Sequence, residues 1–233
     1  MKTEKMNKIL SCIGTVLLIF VTLVISAQLV CYHIPGWWER EYTKCNSLAY
    51  VNGEMSMKDA VYVTEQMLDY CIGTIDTLDK TTVTIDGSKV PFFTEREKLH
   101  LADCRAIFSS LKVISVIAFA ALIAIILYLI IKKASIKTIA SSYLRTTAVV
   151  AALAGILAII ISIDFDAAFI KFHHIFFDND LWLLDPREDN LINIMQEQVF
   201  ADTALVIFII WVVIVGGIAI LAHSCTRRNS TNS

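Results

Sequence analysis

A chain of 233 residues that is 56% hydrophobic, with a mean hydropathy of +0.64, is too apolar for a soluble globular domain of this size. Its 20 Lys and Arg stand against 22 Asp and Glu, with no basic stripe, P-loop or dinucleotide glycine fingerprint, which argues against nucleic-acid partners and nucleotide chemistry. The composition points to a membrane protein.

Four stretches are uncharged and long enough to cross a hydrocarbon core of roughly 30 Å, which takes about 20 helical residues. They are Ile9–Val30, Val113–Ile131, Thr146–Ile163 and Thr203–Ala222. The first resembles a secretion signal behind Lys2, Lys5 and Lys8, but it exceeds the roughly 7 to 15 residues of a signal core and reads as a retained anchor. Lys132, Lys133, Lys137, Arg145, Arg227 and Arg228 join those lysines on alternate flanks, where Glu4 is the sole acid. The intervening segments hold the other 11 bases and 21 acids. Alternation and the positive-inside rule place both termini in the cytoplasm and two segments outside.

The expected organisation is mainly α: a polytopic membrane protein with four transmembrane helices and a small extracytoplasmic α+β domain. The tip and first span cover 1–30, the extracytoplasmic domain 31–106, the second span 107–131 and a basic cytoplasmic loop 132–145. The third span at 146–163, an outer aromatic and acidic segment at 164–202, the fourth span at 203–222 and a tail at 223–233 complete it.

Within the first outer segment, "IPGWWEREY" places Trp37 and Trp38 just past the first span, as an interfacial anchor would. A helix follows from Ser56, with Asp59 completing a capping-box pattern, Ala60, Val63, Met67 and Cys71 on one face, and Gly73 at its end. "TTVTIDGSKVPFF" suggests a hairpin turning at Asp86 and Gly87. Cys31, Cys45, Cys71 and Cys104 lie in or beside the outer segments, where a disulfide is possible and three pairings are open.

"FFTEREKLHLADCRAIF" starts a helix that runs on into the second span, with Thr94 as cap and Glu97 as its capping-box partner. His100 then lies about two turns before the apolar stretch, with Arg96, Glu97, Asp103 and Cys104 as helical neighbours. After the third span, Phe169, Phe172, Phe176 and Phe177 share helical spacing, while His173 and His174 point to different sides. Asp178, Asn179, Asp180, Asp185 and Pro186 have turn and cap chemistry, and "DPREDNLINIM" leads into a short helix. A solvated helix end around His100 and an interfacial aromatic element around His173 are the bland alternatives.

These two histidine segments, "FFTEREKLHLADCR" and "FHHIFFDNDLWLLDPREDNLINIMQEQVF", in a four-span chain resemble the bacterial lipoprotein intramolecular transacylases. The family's second stretch usually has a proline before the glutamate and an aromatic further on, where this chain has Gln196 and Val199. The resemblance implies an acyltransferase of the bacterial cell membrane acting on its extracytoplasmic face. Its partners would be diacylglyceryl-modified lipoproteins and membrane phospholipid. It would move the sn-2 acyl chain to the α-amino group of the N-terminal cysteine, giving the lyso form without any cofactor.

The resemblance assigns catalysis to His100 and His173 and leaves His174 structural. One imidazole near pKa 6.5 suits removal of a proton from an α-ammonium of pKa about 7.7 to 8.0, and another can return a proton to the departing alkoxide. Which histidine does which stays open, as does an acyl-histidine. Glu97, Asp103, Asp178 and Asp180 are candidate orienting acids, and Arg96, Asn179 and Trp182 candidate oxyanion donors. No GxSxG elbow is present, and Ser109 and Ser110 fall in the expected membrane helix. A metal site built on the same histidines lacks an HExxH, and a non-enzymatic membrane scaffold would need neither histidine.

Overall fold

The computed structural model describes residues 2–231, with side chains through Arg227. Met1, the Arg228 side chain and residues 232 and 233 of the expected tail lie outside the described residues. Helix α1 (Lys2–Gln28) ends in a π-helical turn, Leu29–His33. It is followed by α2 (Trp37–Lys44), α3 (Met57–Ile72), β1 (Thr82–Ile85), β2 (Ser88–Pro91), α4 (Glu95–Ile131) and α5 (Ile136–Ile163). Then come α6 (Phe165–Phe176), α7 (Asn190–Ile194) and α8 (Glu197–Thr231). Helices α1 (with its π-helical turn), α4, α5 and α8 each contain one of the expected spans and are long and apolar enough to cross a membrane. The protein is a multi-pass α-helical membrane protein that also carries a small two-stranded sheet.

Two compact units share the chain. One comprises the chain up to Tyr32, Ile114–Ile163 and the chain from Leu205. In it α1 packs along α5, and Ile19, Trp211 and Val215 form a core with Val150, Ala154 and Phe208. Polar tips in apolar surroundings need partners. The Trp211 indole donates to the Ile19 carbonyl at 3.0 Å, and the Tyr143 hydroxyl to the Val215 carbonyl at 2.8 Å. A Cβ on Gly14 would sit 3.2 Å from Ile125, so α1 and α4 approach closely there. Ile117, Ile160 and Val213 stay exposed, as a surface solvated by lipid tails allows.

The other unit comprises His33–Val113 and Asp164–Ala204. Ser56 caps α3 by accepting from the Asp59 N–H, and its hydroxyl donates to the Asp59 carboxylate, so the acid returns to the cap's side chain rather than its backbone. Ala60, Val63, Met67 and Cys71 are buried on one face, and Gly73 ends the helix at φ 81°. Strands β1 and β2 pair antiparallel across Asp86 and Gly87, both at positive φ, the two-residue turn that matches strand twist.

One expectation is corrected, and the question of the outer cysteines is answered. Trp37 and Trp38 are buried rather than presented as an anchor, and the Trp37 indole donates to Thr203 at 3.3 Å. An amphipathic ring satisfies a protein core with one hydrogen-bond partner as well as it satisfies a headgroup layer. Cys45, Cys71 and Cys104 are free thiols, so none of the three outer pairings forms.

Candidate active site

The first histidine segment is built around a reciprocal cap. Thr94 N–H donates to the Glu97 carboxylate at 2.7 Å, and Glu97 N–H to the Thr94 hydroxyl at 3.2 Å. The fully buried Glu97 carboxylate also accepts from the Leu191 N–H at 2.6 Å. The Thr94 hydroxyl donates to Asp189 at 2.7 Å, whose other oxygen accepts from the Asp185 N–H at 2.9 Å. These bonds fasten the start of α4 to the segment that follows the second histidine motif. Glu97 was expected to orient an imidazole; its oxygens hold backbone instead. Burial pushes its carboxyl up to about 7 against the pull of those two N–H groups.

Helix α4 has 37 residues, about 55 Å at 1.5 Å per residue, far more than a membrane core needs. His100 lies one turn after Glu97 on the same face and is 9% exposed; it stands more than three turns before the apolar stretch at 113–131, farther from it than the two turns expected. Its Nε2 is 3.6 Å from the Cys104 Sγ, and its Nδ1 is buried with no hydrogen-bond partner.

Asp164 caps α6 by accepting from the Ala167 N–H at 2.9 Å. One helical step then separates the histidine pair as expected: His173 is 8% exposed, whereas His174, Phe172, Ile175 and Phe176 face outward. Phe177 is not on the helix; it follows in extended conformation and is buried. His173 Nδ1 lies 2.8 Å from the Phe169 carbonyl. A carbonyl only accepts, so Nδ1 carries the proton and Nε2 keeps a lone pair.

The two imidazoles converge. Their ring centroids are 6.1 Å apart, and Phe177 packs against both at 5.1 and 5.6 Å. Phe169 covers another side of His173 at 4.2 Å, and Trp182 stacks on it at 4.7 Å. Burial, then the neighbouring His173, pushes His100 down to about 4 despite the nearby Asp103. Burial also lowers His173. Both rings are therefore neutral at neutral pH. The Trp182 Nε1–H is a second buried group without a partner. Two unpaired polar atoms in one aromatic enclosure are costly unless a ligand completes them.

The remaining candidates serve the wall. Arg96, expected as an oxyanion donor, instead donates to the carbonyls of Asp180 and Leu183, the latter at 3.2 Å. The Asn179 amide donates to Asp103 at 2.9 Å, so this acid is engaged by a carboxamide rather than by an imidazole, and the Asn179 carbonyl accepts from the Leu181 N–H at 3.0 Å. The Asp178 and Asp180 side chains are exposed. Among the described residues, the group of three His, Cys, Asp or Glu side chains whose ligand atoms all lie within 4.8 Å of one another is Glu41, Cys45 and Asp202, and neither histidine of the pocket belongs to it. There the Lys44 ammonium already pairs with Asp202 at 2.7 Å.

A family model for the lipoprotein intramolecular transacylase Lit matches residues 12–200. The chain belongs to the lipoprotein intramolecular transacylase family. Its fold is similar to that of the membrane integral lipoprotein intramolecular transacylase Lit from Bacillus cereus, solved in meso. That match has a TM-score of 0.74 at 19% identity over 98% of this chain and 97% of that one. Two structures of the same protein with a histidine replaced also match. The alanine variant gives 0.71 at 18% identity over 98% and 97%, and the arginine variant 0.69 at 17% over 99% and 93%. A comparison with curated proteins returned no match.

For this transacylase, sequence reasoning overlooked Phe169 and Phe177 as the lining of the pocket and Asp189 as part of the fastening. Phe spacing in α6 did carry a usable signal, because Phe169 and His173 lie four residues apart on one helical face.

Proposed function

We propose that the transacylase moves the sn-2 acyl chain of a diacylglyceryl lipoprotein to the α-amino group of that lipoprotein's N-terminal cysteine. The alternation of Lys and Arg along the chain supports an active site on the extracytoplasmic face with both termini in the cytoplasm. The exposed Phe172, Ile175 and Phe176 suit contact with phospholipid.

The observation that carries the reading is the buried pair of neutral imidazoles, 6.1 Å apart, with His173 Nε2 left basic. Groups this close can both reach one ester and one amine of the same molecule. His173 Nε2 takes a proton from the amine as its nitrogen attacks the ester carbonyl. The Trp182 N–H and His100 face the oxyanion that develops. Here the Cys104 thiol, held protonated at about 12, donates to His100 Nε2, which leaves Nδ1–H to act as a neutral donor. Collapse breaks the bond to the sn-2 oxygen, and His173 returns the proton to it. The C–N bond formed and the C–O bond broken balance, one amine proton ending on the glycerol hydroxyl, with no donor or cofactor consumed.

The test is expression in a bacterium whose lipoproteins are only diacylated, with mass spectrometry of the lipoprotein N-terminus. An N-acyl, S-monoacylglyceryl cysteine is expected with the wild-type chain and not with His173→Ala or His100→Ala at equal protein level. Unchanged product from both variants would return the histidine segments to a structural role.

A further inference from the structure

A lipoprotein substrate carries a polypeptide behind its modified cysteine, and that polypeptide must leave the histidine pocket along some surface. A groove of about 570 Å³ opens among the first turns of α6 and α8 and helix α7. Phe165, Ile192 and Ala201 give it apolar lining, and Asn193, Gln196 and Gln198 bring carboxamides. One N–H of each of these carboxamides is engaged, with the Pro186 carbonyl, the Asn193 carbonyl and Asp202. With two carboxyls beside the carboxamide oxygens, the groove is rich in acceptors.

Asp166 and Glu197 line it together, and no Lys, Arg or His is among its described lining residues. The hydrogen bond with Asp166, together with burial, holds the Glu197 carboxyl above the ordinary carboxylate range. Each acid sits in the first turn of a helix, where the helix dipole alone would favour it. The dipole does not explain why the two are brought side by side; a shared proton relieves their repulsion in the free protein, and a cation or N–H donors from a ligand can take that proton's place.

The groove adjoins the histidine pocket through α6. The Phe165 ring packs on Phe169 at 6.2 Å, and Phe169 on His173 at 4.2 Å. Eight helical residues from Phe165 to His173 span about 12 Å, the reach of three to four extended residues.

Resting on the acyl-transfer reading above, we infer that this groove is the subsite for the peptide following the modified cysteine, and that it favours a basic side chain among the first residues. Peptide N–H groups and a Lys or Arg match its acceptors, and the apolar lining takes the peptide's Cα and side-chain carbons. A phosphate headgroup would meet two carboxyls and no cation.

The probes are S-dialkylglyceryl cysteinyl peptides, whose ether linkages cannot be transferred, with five-residue tails differing only in Lys or Glu at two positions. Their Kd values are measured on the full chain in nanodiscs of zwitterionic lipid. Wild type should bind the lysine tail about fivefold more tightly, the sum of two weak exposed ion pairs. The difference should fall below twofold in D166N/E197Q, whose positions are exposed, and reverse in Glu197→Lys. Equal affinities in wild type, or a lysine preference that survives in both variants, would overturn the inference. Turnover of the matching diacyl peptides is read separately: tail-dependent binding without turnover counts against the acyl-transfer reading and leaves the groove standing.

Discussion

Trp182 holds two properties in one side chain: a flat face on His173 at 4.7 Å and a buried N–H without a partner. Phe at this position keeps the face and removes the donor. Trp182→Phe is therefore expected to lower kcat by about 10² to 10³, the range for loss of one oxyanion donor, with KM little changed. A matching rise in KM with unchanged kcat would make Trp182 a binding wall instead. Glu97 lends itself to a test by stability. Its folded pKa of about 7 lies above the ordinary 4.5, so the folded state keeps a proton that the unfolded chain releases between those values. Its stabilising contribution is complete below pH 4.5 and declines as pH rises to about 7, by at most about 3 kcal/mol. Glu97→Gln cannot titrate, and its NH₂ leaves one of the Thr94 and Leu191 N–H groups without an acceptor, costing about 1 to 3 kcal/mol. Thermal unfolding in detergent from pH 5 to pH 8 should show the wild type's advantage narrowing toward pH 7. A gap that stays constant over that range would mean Glu97 is bound as a carboxylate throughout.

At the scale of elements, the site depends on whether the 177–183 turn stays against α4. Arg96 reaches two of its carbonyls, those of Asp180 and Leu183, from the first turn of α4. Lysine keeps the charge but lacks the planar fork that spans two acceptors. Arg96→Lys is expected to lower activity about tenfold through misplacement of Trp182 while shifting Tm by only a few degrees. Wild-type activity would show that Asn179 and Asp103, bonded at 2.9 Å, hold the turn alone. The same distinction separates what the sequence made legible from what it did not. The Thr94 and Glu97 box, the Ser56 and Gly73 ends of α3 and the Asp86–Gly87 turn were legible because each depends on residues within four positions of one another. The opposite facing of His173 and His174 followed from helical geometry alone. The second acceptor role of Glu97, toward Leu191, was not legible, since nothing in the local pattern names a partner across two membrane spans. Arg96 misled for a related reason: a guanidinium near a histidine is equally suited to substrate or to backbone carbonyls, and only the tertiary path of the turn decides. Trp37 and Trp38 show the same ambiguity between core and interface.

For the whole molecule, the question is whether ester and amine must belong to one lipoprotein. The site carries one pair of neutral imidazoles in an enclosure of Phe169, Phe177 and Trp182, and a groove lined by Asp166 and Glu197 reaches it along α6. Nothing in that arrangement activates a free acyl donor, and an unassisted bimolecular exchange would forgo the roughly 7 to 11 kcal/mol that a well-oriented intramolecular attack supplies. An isotope-mixing experiment follows. Two lipopeptides of different mass are prepared, one with ¹³C-labelled acyl chains and one without, and turned over together in nanodiscs at equal concentration. If the amine attacks the ester of its own glyceryl group, each N-acyl product carries the label of its parent, and crossed products stay at background at every substrate density. A pocket that instead admits two substrates, or that parks the acyl group on His173 long enough for exchange, gives crossed products in a fraction that rises with density. Crossing at low density, where two substrates rarely meet, would point specifically to an acyl-histidine that outlives dissociation of the first, deacylated lipopeptide, whose amine is still free. Uncrossed label thus shows that ester and amine belong to one lipoprotein, and crossed label at low density identifies a covalent relay with His173 as nucleophile.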